Sequence, residues 1–253
     1  MLEQLLTLNL FGFFLVFARV GTALAAMPGF GAAYVPTDMR LAIGLAIAFV
    51  MTPALIAEMP AMPASVSGIA ILIGGEMLIG AFLGTIATIL MGALQTAGTL
   101  IAYVASLANA LIQDPIAEQQ SSTVASFLLV MGVVLVFTSD LHHLMLRAVA
   151  DSYSLVTPGE PFPAADVSQI MARRVADAFA LGLRLSAPFV IVGLTFYVGL
   201  GFLGRLMPQL QVFFFGLPIQ IGIQIWVMAI AVTGMMMAFL QSFGEVYQGF
   251  TLP

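Results

Sequence analysis

Apolar residues run through this chain in long blocks, separated by short stretches rich in helix breakers. The first block predicts a helix from Leu5 to Ala26. The connection Met27-Pro28-Gly29-Phe30-Gly31, continuing to Pro36, carries the residues that end helices and make turns. A second helix is predicted from about Thr37 to Ala57, followed by Pro60 and Pro63. The block from Ser65 to about Asn109 suits one very long helix or two shorter ones. Gln113-Asp114-Pro115 to Ser122 is the first clearly polar loop, and Ser121, Ser122 and Thr123 offer N-caps to the helix after it. That helix is expected to run to about Ser152. A proline-rich loop, Thr157 to Pro163, comes next, and Asp166 is expected to cap a helix from Val167 to Leu206 with Pro188 inside it. Met207-Pro208-Gln209 breaks the chain before a last apolar block, Gln211 to about Phe250, with Pro218 near its start. No strand-like alternation and no internal repeat stand out, so the class is all-α. The connections are too short for a separate soluble domain, and residues 1–253 are expected to form a single integral membrane domain.

Composition turns these blocks into membrane or fully buried helices. The chain has 253 residues, 61% hydrophobic and 8% charged, with a mean hydropathy of +1.11. A soluble domain carries about 25% charged residues. There is too little charge here to cover a soluble surface of this size, and long apolar runs of this kind read as membrane-spanning. All seven basic residues are Arg, and twelve acidic residues bring the net charge to −5. No basic stripe exists to neutralise phosphates, which excludes nucleic acid as a partner. The absence of Cys excludes disulfides, thiol catalysis and thiolate metal sites. His142 and His143 are the only imidazoles. Neighbours on a helix point about 100° apart, so these two cannot easily share a metal, and neither a metal nor a cofactor is expected. Ala23-Leu24-Ala25 has the look of a signal-peptide cleavage site, but Glu3 and Arg19 do not suit a leader, so residues 1–26 are expected to remain as the first helix. The pair Arg173-Arg174 points to a cytoplasmic side for the connection before the helix that carries it, Val167 to Leu206.

Three features could carry function. Glu76, Gly80, Gly84, Thr88, Gly92 and Thr96 are each spaced four apart, and Gly80 to Gly84 is a GxxxG. Small residues at this spacing let two helix backbones approach closely, either within the chain or between subunits. Arg19, Glu76, Asp140, Arg147, Asp177 and Arg184 lie within apolar helices. Such residues are costly in lipid and face protein or water. They are scattered over different helices with no acid or histidine relay along one face, which favours ion pairs over a proton path. Asp177 and Arg184 are seven apart and share a face without touching. Finally, sixteen Met and twenty Phe supply soft, irregular packing suited to a deformable seal or to an ordinary core. GxSxG, HExxH, GxGxxG and Walker A patterns are absent, and no cluster of polar groups for an enzyme can be assembled.

Particular strings then become informative. Ala18-Arg19-Val20, Met27-Pro28-Gly29-Phe30-Gly31, Val35-Pro36 and Met39-Arg40-Leu41 resemble the start of the FliR family of flagellar biosynthesis proteins, which has counterparts in type III secretion injectisomes. Gly75-Glu76-Met77-Leu78-Ile79-Gly80 followed by Gln95-Thr96-Ala97-Gly98 is similar to the family's central block. Asp114-Pro115, Asp151-Ser152-Tyr153 and Pro158-Gly159 fit as well. The most specific string runs from Arg205-Leu206-Met207-Pro208-Gln209 through Leu210-Gln211-Val212-Phe213 to Gly216-Leu217-Pro218. The segment Ser106 to Gln113 and the pair Leu141-His142 depart from the family's usual residues.

The resemblance implies a non-enzymatic, channel-forming subunit of the flagellar export gate in the bacterial inner membrane, within the flagellar basal body. It implies helical hairpins with Pro and Gly breaks, similar to a fusion of FliP-like and FliQ-like subunits, in a right-handed helical assembly partly raised out of the bilayer. FliP-like, FliQ-like and FlhB-like subunits are the implied partners, and unfolded flagellar proteins the transported substrates. Residues Ser106 to Ser122 are the implied channel plug, with Ser106, Leu107, Asn109, Leu111, Ile112, Asp114 and Pro115 as its candidate residues. Gly80, Gly84, Thr88 and Gly92 are candidates for helix packing, and Arg19, Glu76, Arg205, Pro208 and Gln209 for structural roles. A stand-alone secondary transporter or channel is the alternative. It would purify alone as a stable particle, whereas a gate subunit would be unstable without its partners.

Overall fold

A computed structural model describes residues 2–107, 111–113, 120–207 and 212–251. The described chain is built from seven helices. They are α1 (Leu2–Ala26), α2 (Thr37–Leu55), α3 (Val66–Val104), α4 (Thr123–Thr138), α5 (Leu141–Leu155), α6 (Ala164–Leu206) and α7 (Val212–Gln248). A 3₁₀ turn, Ile56–Glu58, extends α2. The block after Pro63 is one helix of 39 residues. The all-α class stands, with one local addition that the sequence does not predict. Two three-residue strands, β1 (Leu111–Gln113) and β2 (Gln120–Ser122), pair antiparallel with Leu111 opposite Ser122 in the connection between α3 and α4.

Two helix boundaries differ from the sequence reading. The helix expected to run unbroken to Ser152 divides at Ser139-Asp140, and its halves α4 and α5 are bent by 72°. Asp140 sits in the left-handed region, with φ 59 and ψ 12. Asp is one of the few side chains that visit this region at modest cost. Apolar residues continue on both sides of the break, which is why hydropathy hides it. Asp140 is therefore an exposed residue of a helix junction and not a charge inside an apolar helix. Second, α6 begins at Ala164, so Asp166 lies in its first turn and does not cap it. Carboxylates are favoured there by the helix dipole.

The chain divides into two compact units, residues 1–89, 137–174 and 243–253 in the first and 90–136 and 175–242 in the second. In the first, α1 packs on α2 and on α5. It also meets the N-terminal part of α3 backbone to backbone. A methyl group at Gly80 would collide with the carbonyl of Arg19, and one at Gly84 with the carbonyl of Ala23. Thr88 Oγ1 donates to the Ala26 carbonyl at 2.7 Å, satisfying an acceptor that the end of α1 leaves open. Tyr247 of α7, fully buried, donates to the Leu83 carbonyl at 3.0 Å. In the second unit, Gly98 of α3 lies directly against Ala125 of α4, closing the hairpin that carries the β ladder.

Among the described residues, α2 with its 3₁₀ turn, α3, α6 and α7 are long and apolar enough to cross a membrane, and the bent α4–α5 pair adds a fifth span if counted as one. Phe49, Val50, Ile71, Phe202, Phe214 and Trp226 are among many large apolar side chains on the outside. Soluble monomers rarely expose apolar area on this scale.

The stripe of small residues separates two situations, which substitution tests. Gly80→Ala or Gly84→Ala overpacks the α1–α3 contact and should lower stability by about 1–3 kcal/mol. Nothing lies within 4 Å of the position a methyl would take at Gly92. Gly92→Ala should therefore be neutral, or stabilising by up to about 1 kcal/mol through helix propensity. Unfolding midpoints of the chain extracted with its partner subunits measure both.

Candidate functional site

Arg19 sits on α1 in a sequence that offers it no water. Its neighbours Val16 and Val20 are buried, and Arg19 itself is 0% exposed. A guanidinium has five N–H donors and cannot give up its charge, so burial requires acceptors from elsewhere in the fold. Glu76 of α3 supplies two. Arg19 Nε donates to Glu76 Oε2 at 2.7 Å and Nη2 donates to Oε1 at 3.0 Å, a two-point pairing. Nη1 donates to Ser152 Oγ of α5 at 3.0 Å, and Nη2 to the Val156 carbonyl just beyond α5 at 3.0 Å. Tyr153 places its ring 3.9 Å from Cζ, and its hydroxyl takes no hydrogen bond among the described residues, so its contribution is the ring face. One side chain thus ties α1, α3 and α5 together within the first unit. The four-residue spacing from Glu76 to Gly80 brings the glycine under the Arg19 carbonyl, so the close backbone approach and the ion pair depend on each other.

The second constellation lies in the second unit, where α3 ends. Leu107 N–H donates to the Ala102 carbonyl and Ser106 N–H to the Tyr103 carbonyl, which is the Schellman pattern that closes a helix. The pattern needs its C′ residue in the left-handed region, where Gly is usual. Here Ser106 takes that place at φ 59. A side chain there costs about 1–2 kcal/mol. Ser106 Oγ shares a hydrogen bond with Tyr197 Oη of α6 at 2.9 Å and donates to Gln220 Oε1 of α7 at 3.4 Å. Gln220 Nε2 in turn donates to the carbonyl of Val104, one of the acceptors left open at the end of α3. One turn on, Gln224 Nε2 donates to the Phe189 carbonyl at 3.1 Å, while its Oε1 is buried without a partner among the described residues. Leu107 lines a cavity of about 270 Å³ with Phe127, Gln224 and Met228. At the far end of the loop, Ser122 Oγ accepts from Ala125 N–H at 3.1 Å, capping α4, and donates to the Gly98 carbonyl at 3.3 Å. The polar connection between α3 and α4 is therefore held at a hydrogen-bonded post at each end, Ser106 and Ser122.

The remaining candidates are placed as follows. Of the plug residues, Ser106 and Leu107 stand at the loop base; Leu111 and Ile112 lie on β1, where only the backbone is described; Asn109, Asp114 and Pro115 lie outside the described residues. Pro208 and Gln209 also lie outside them, and Arg205 is exposed in the last turn of α6. Arg147 is exposed and pairs with Asp151 at 3.6 Å, and Asp177 and Arg184 are exposed on α6. The bend at Asp140 brings the ligand atoms of Asp140, His142 and His143 within 4.8 Å of one another. His142 is stacked on Phe137, and the exposed His143 and Asp140 lie 3.5 Å apart. This is a pair at a helix junction, and nothing else points to a metal there.

The family of bacterial export proteins, family 1, matches residues 10–246. The chain belongs to this family. It is 32% identical over 237 residues to flagellar biosynthetic protein FliR of Caulobacter vibrioides, covering 94% of each chain. It is 30% identical over 235 residues to that of Pectobacterium carotovorum, covering 92% of this chain and 87% of that one. Yop proteins translocation protein T of Yersinia pestis is 26% identical over 184 residues, covering 72% of this chain and 70% of that one. The resemblance drawn from the strings around Arg19, Glu76 and Arg205 is thus correct at the level of the FliR family. As a family member the chain is a structural component of a type III export apparatus, in the service of flagellum biogenesis and protein transport.

Sequence reasoning missed Tyr197, Gln220 and Gln224. The two glutamines did leave a signal, amides four apart in an otherwise apolar helix. Ser152 and Tyr153 belong to the family-like string Asp151-Ser152-Tyr153, but nothing in the sequence assigns them to Arg19.

A double-mutant cycle tests the ion pair. Glu76→Leu leaves the guanidinium buried and uncompensated and should cost about 3–5 kcal/mol. Arg19→Met together with Glu76→Leu should recover most of that loss, because a well-packed apolar pair is a fair substitute for a buried ion pair. Thermal unfolding of the extracted chain reads both.

Proposed function

We propose that this chain is a channel-forming subunit of the flagellar export gate in the inner membrane, and that its α3–α4 connection is the plug that closes the channel to ions. It packs with FliP-like and FliQ-like subunits, with a FlhB-like subunit alongside, and unfolded flagellar proteins are its cargo. The observation that carries this reading is the construction of the loop. It is a long polar excursion between two apolar helices, hydrogen-bonded at Ser106 and Ser122 and carrying the β1–β2 ladder among its described residues. A segment fixed at its base can be displaced by a passing chain and return to the same place.

Helix length supports an assembly that is more than a simple set of bilayer crossings. The 39 residues of α3 and the 43 of α6 rise about 58 and 64 Å at ~1.5 Å per residue. The hydrocarbon core is only ~30 Å thick. Much of the apolar surface on these helices must therefore be covered by something other than lipid, and sister subunits are the fitting cover. Apolar side chains at a constriction exclude water and ions while packed and yield when displaced.

Deletion of residues 107–113 tests the plug. With the complex assembled to the normal level, ion leak across the membrane should rise; an unchanged leak contradicts the assignment. Tyr197→Phe removes one hydrogen bond at the loop base, about 0.5–1.5 kcal/mol, and should raise the leak by less than the deletion does.

A further inference from the structure

The first unit contains a groove that the gate reading does not use. It lies among α1, α2 and the start of α3 and encloses about 510 Å³. That volume is within the ~300–1,000 Å³ of sites that bind small molecules. Its walls are apolar, with Phe14, Phe17, Leu41, Ile43, Ile73 and Met77 prominent, and Arg40 is its only charged lining residue. Arg40 Nε donates to the Val35 carbonyl at 2.8 Å, which fixes the side chain. Its two Nη nitrogens take no partner among the described residues. Asp38, the nearby acid in the first turn of α2, is exposed and forms no ion pair with it. The start of α2 follows Pro36 and has no side-chain cap, so its first N–H groups also face outward unmatched.

The layout is that of an amphiphile in negative: one cation at one end of an apolar trough. We infer that this groove binds a single phospholipid, with its phosphate on Arg40 and an acyl chain along the phenylalanines. A guanidinium with both Nη groups available grips a phosphate at two points, and the open N–H groups of α2 add to the positive potential. The 19 residues of α2 rise about 28 Å, close to the thickness of a hydrocarbon core. Arg40, one turn inside its beginning, then lies at the depth of lipid headgroups. The inference rests on the membrane placement proposed above and not on the plug.

The test uses the full chain extracted from membranes with its native partners, and phosphatidylglycerol as the added lipid, followed by native mass spectrometry. Recovery of the wild-type chain in the membrane fraction is scored first; its absence there would overturn the membrane placement itself. On the extracted chain, one phosphatidylglycerol should be retained. Arg40→Gln should weaken retention by about tenfold or more, since a charge-assisted hydrogen bond is lost. Ala25→Phe fills the groove from an exposed position on its wall and should abolish retention. Arg173→Gln, which removes an exposed charge on α6, should change nothing. Glycerol phosphate, which has the headgroup chemistry and no acyl chain, should not compete. The site is overturned if the membrane-extracted wild type carries no lipid, if Arg40→Gln retains lipid as the wild type does, or if Arg173→Gln loses it equally.

Discussion

A guanidinium shut away from water must find its counter-charge and its hydrogen-bond acceptors inside the protein, or the helix that carries it cannot be buried. Arg19 meets that condition through Glu76, Ser152 and the Val156 carbonyl. The acceptors come from two separate stretches of chain, so the requirement of one side chain on α1 fixes the mutual placement of α1, α3 and the end of α5. The ion pair specifies geometry more than it supplies stability, because desolvation of both charges offsets much of their attraction. An apolar residue at position 19 could pack against many neighbours in many registers. Arg19 accepts only the register that presents Glu76, and in that register Gly80 and Gly84 fall where α1 comes closest.

The second unit solves a related problem with neutral groups. A helix end inside an apolar environment leaves carbonyls without donors. At the end of α3 the amide of Gln220 on α7 donates to the Val104 carbonyl, and the hydroxyl of Tyr197 on α6 shares a hydrogen bond with Ser106 Oγ. They hold the residue in the left-handed conformation from which the α3–α4 connection departs. The first unit is thus tied by charge and the second by amides and hydroxyls, and the segment proposed to move is attached to the neutral network. Neutral hydrogen bonds are individually weaker than charge-assisted ones, which suits the base of a displaceable loop.

Much of this was legible in the sequence because the fold is helical and the breakers are Pro and Gly. The helix boundaries at Met27, Pro60, Thr157 and Met207 follow from them. The bend at Asp140 was not legible, since an acidic residue between apolar runs reads as a charge within a helix until its φ is known. The β1–β2 ladder was equally hidden, as three residues per strand are too few for an alternation to register. Arg19 and Glu76 were recognisable as costly charges, but their 57-residue separation carries no periodicity that would pair them. The GxxxG at Gly80 pointed to a close helix contact without naming α1 as the partner. For the candidate plug, the polar composition marked the loop, while the partners of Ser106 lie on α6 and α7 and could be assigned only from the folded chain.

The central claim is that the Arg19–Glu76 pair holds the first unit together. Hydrogen–deuterium exchange on the extracted wild-type chain and on Glu76→Gln tests it most directly. Protection should fall in residues 10–26, 66–89 and 141–155, while residues 175–206 and 212–242 of the second unit keep theirs. Unchanged protection in the first unit, or an equal loss in both, would contradict the account.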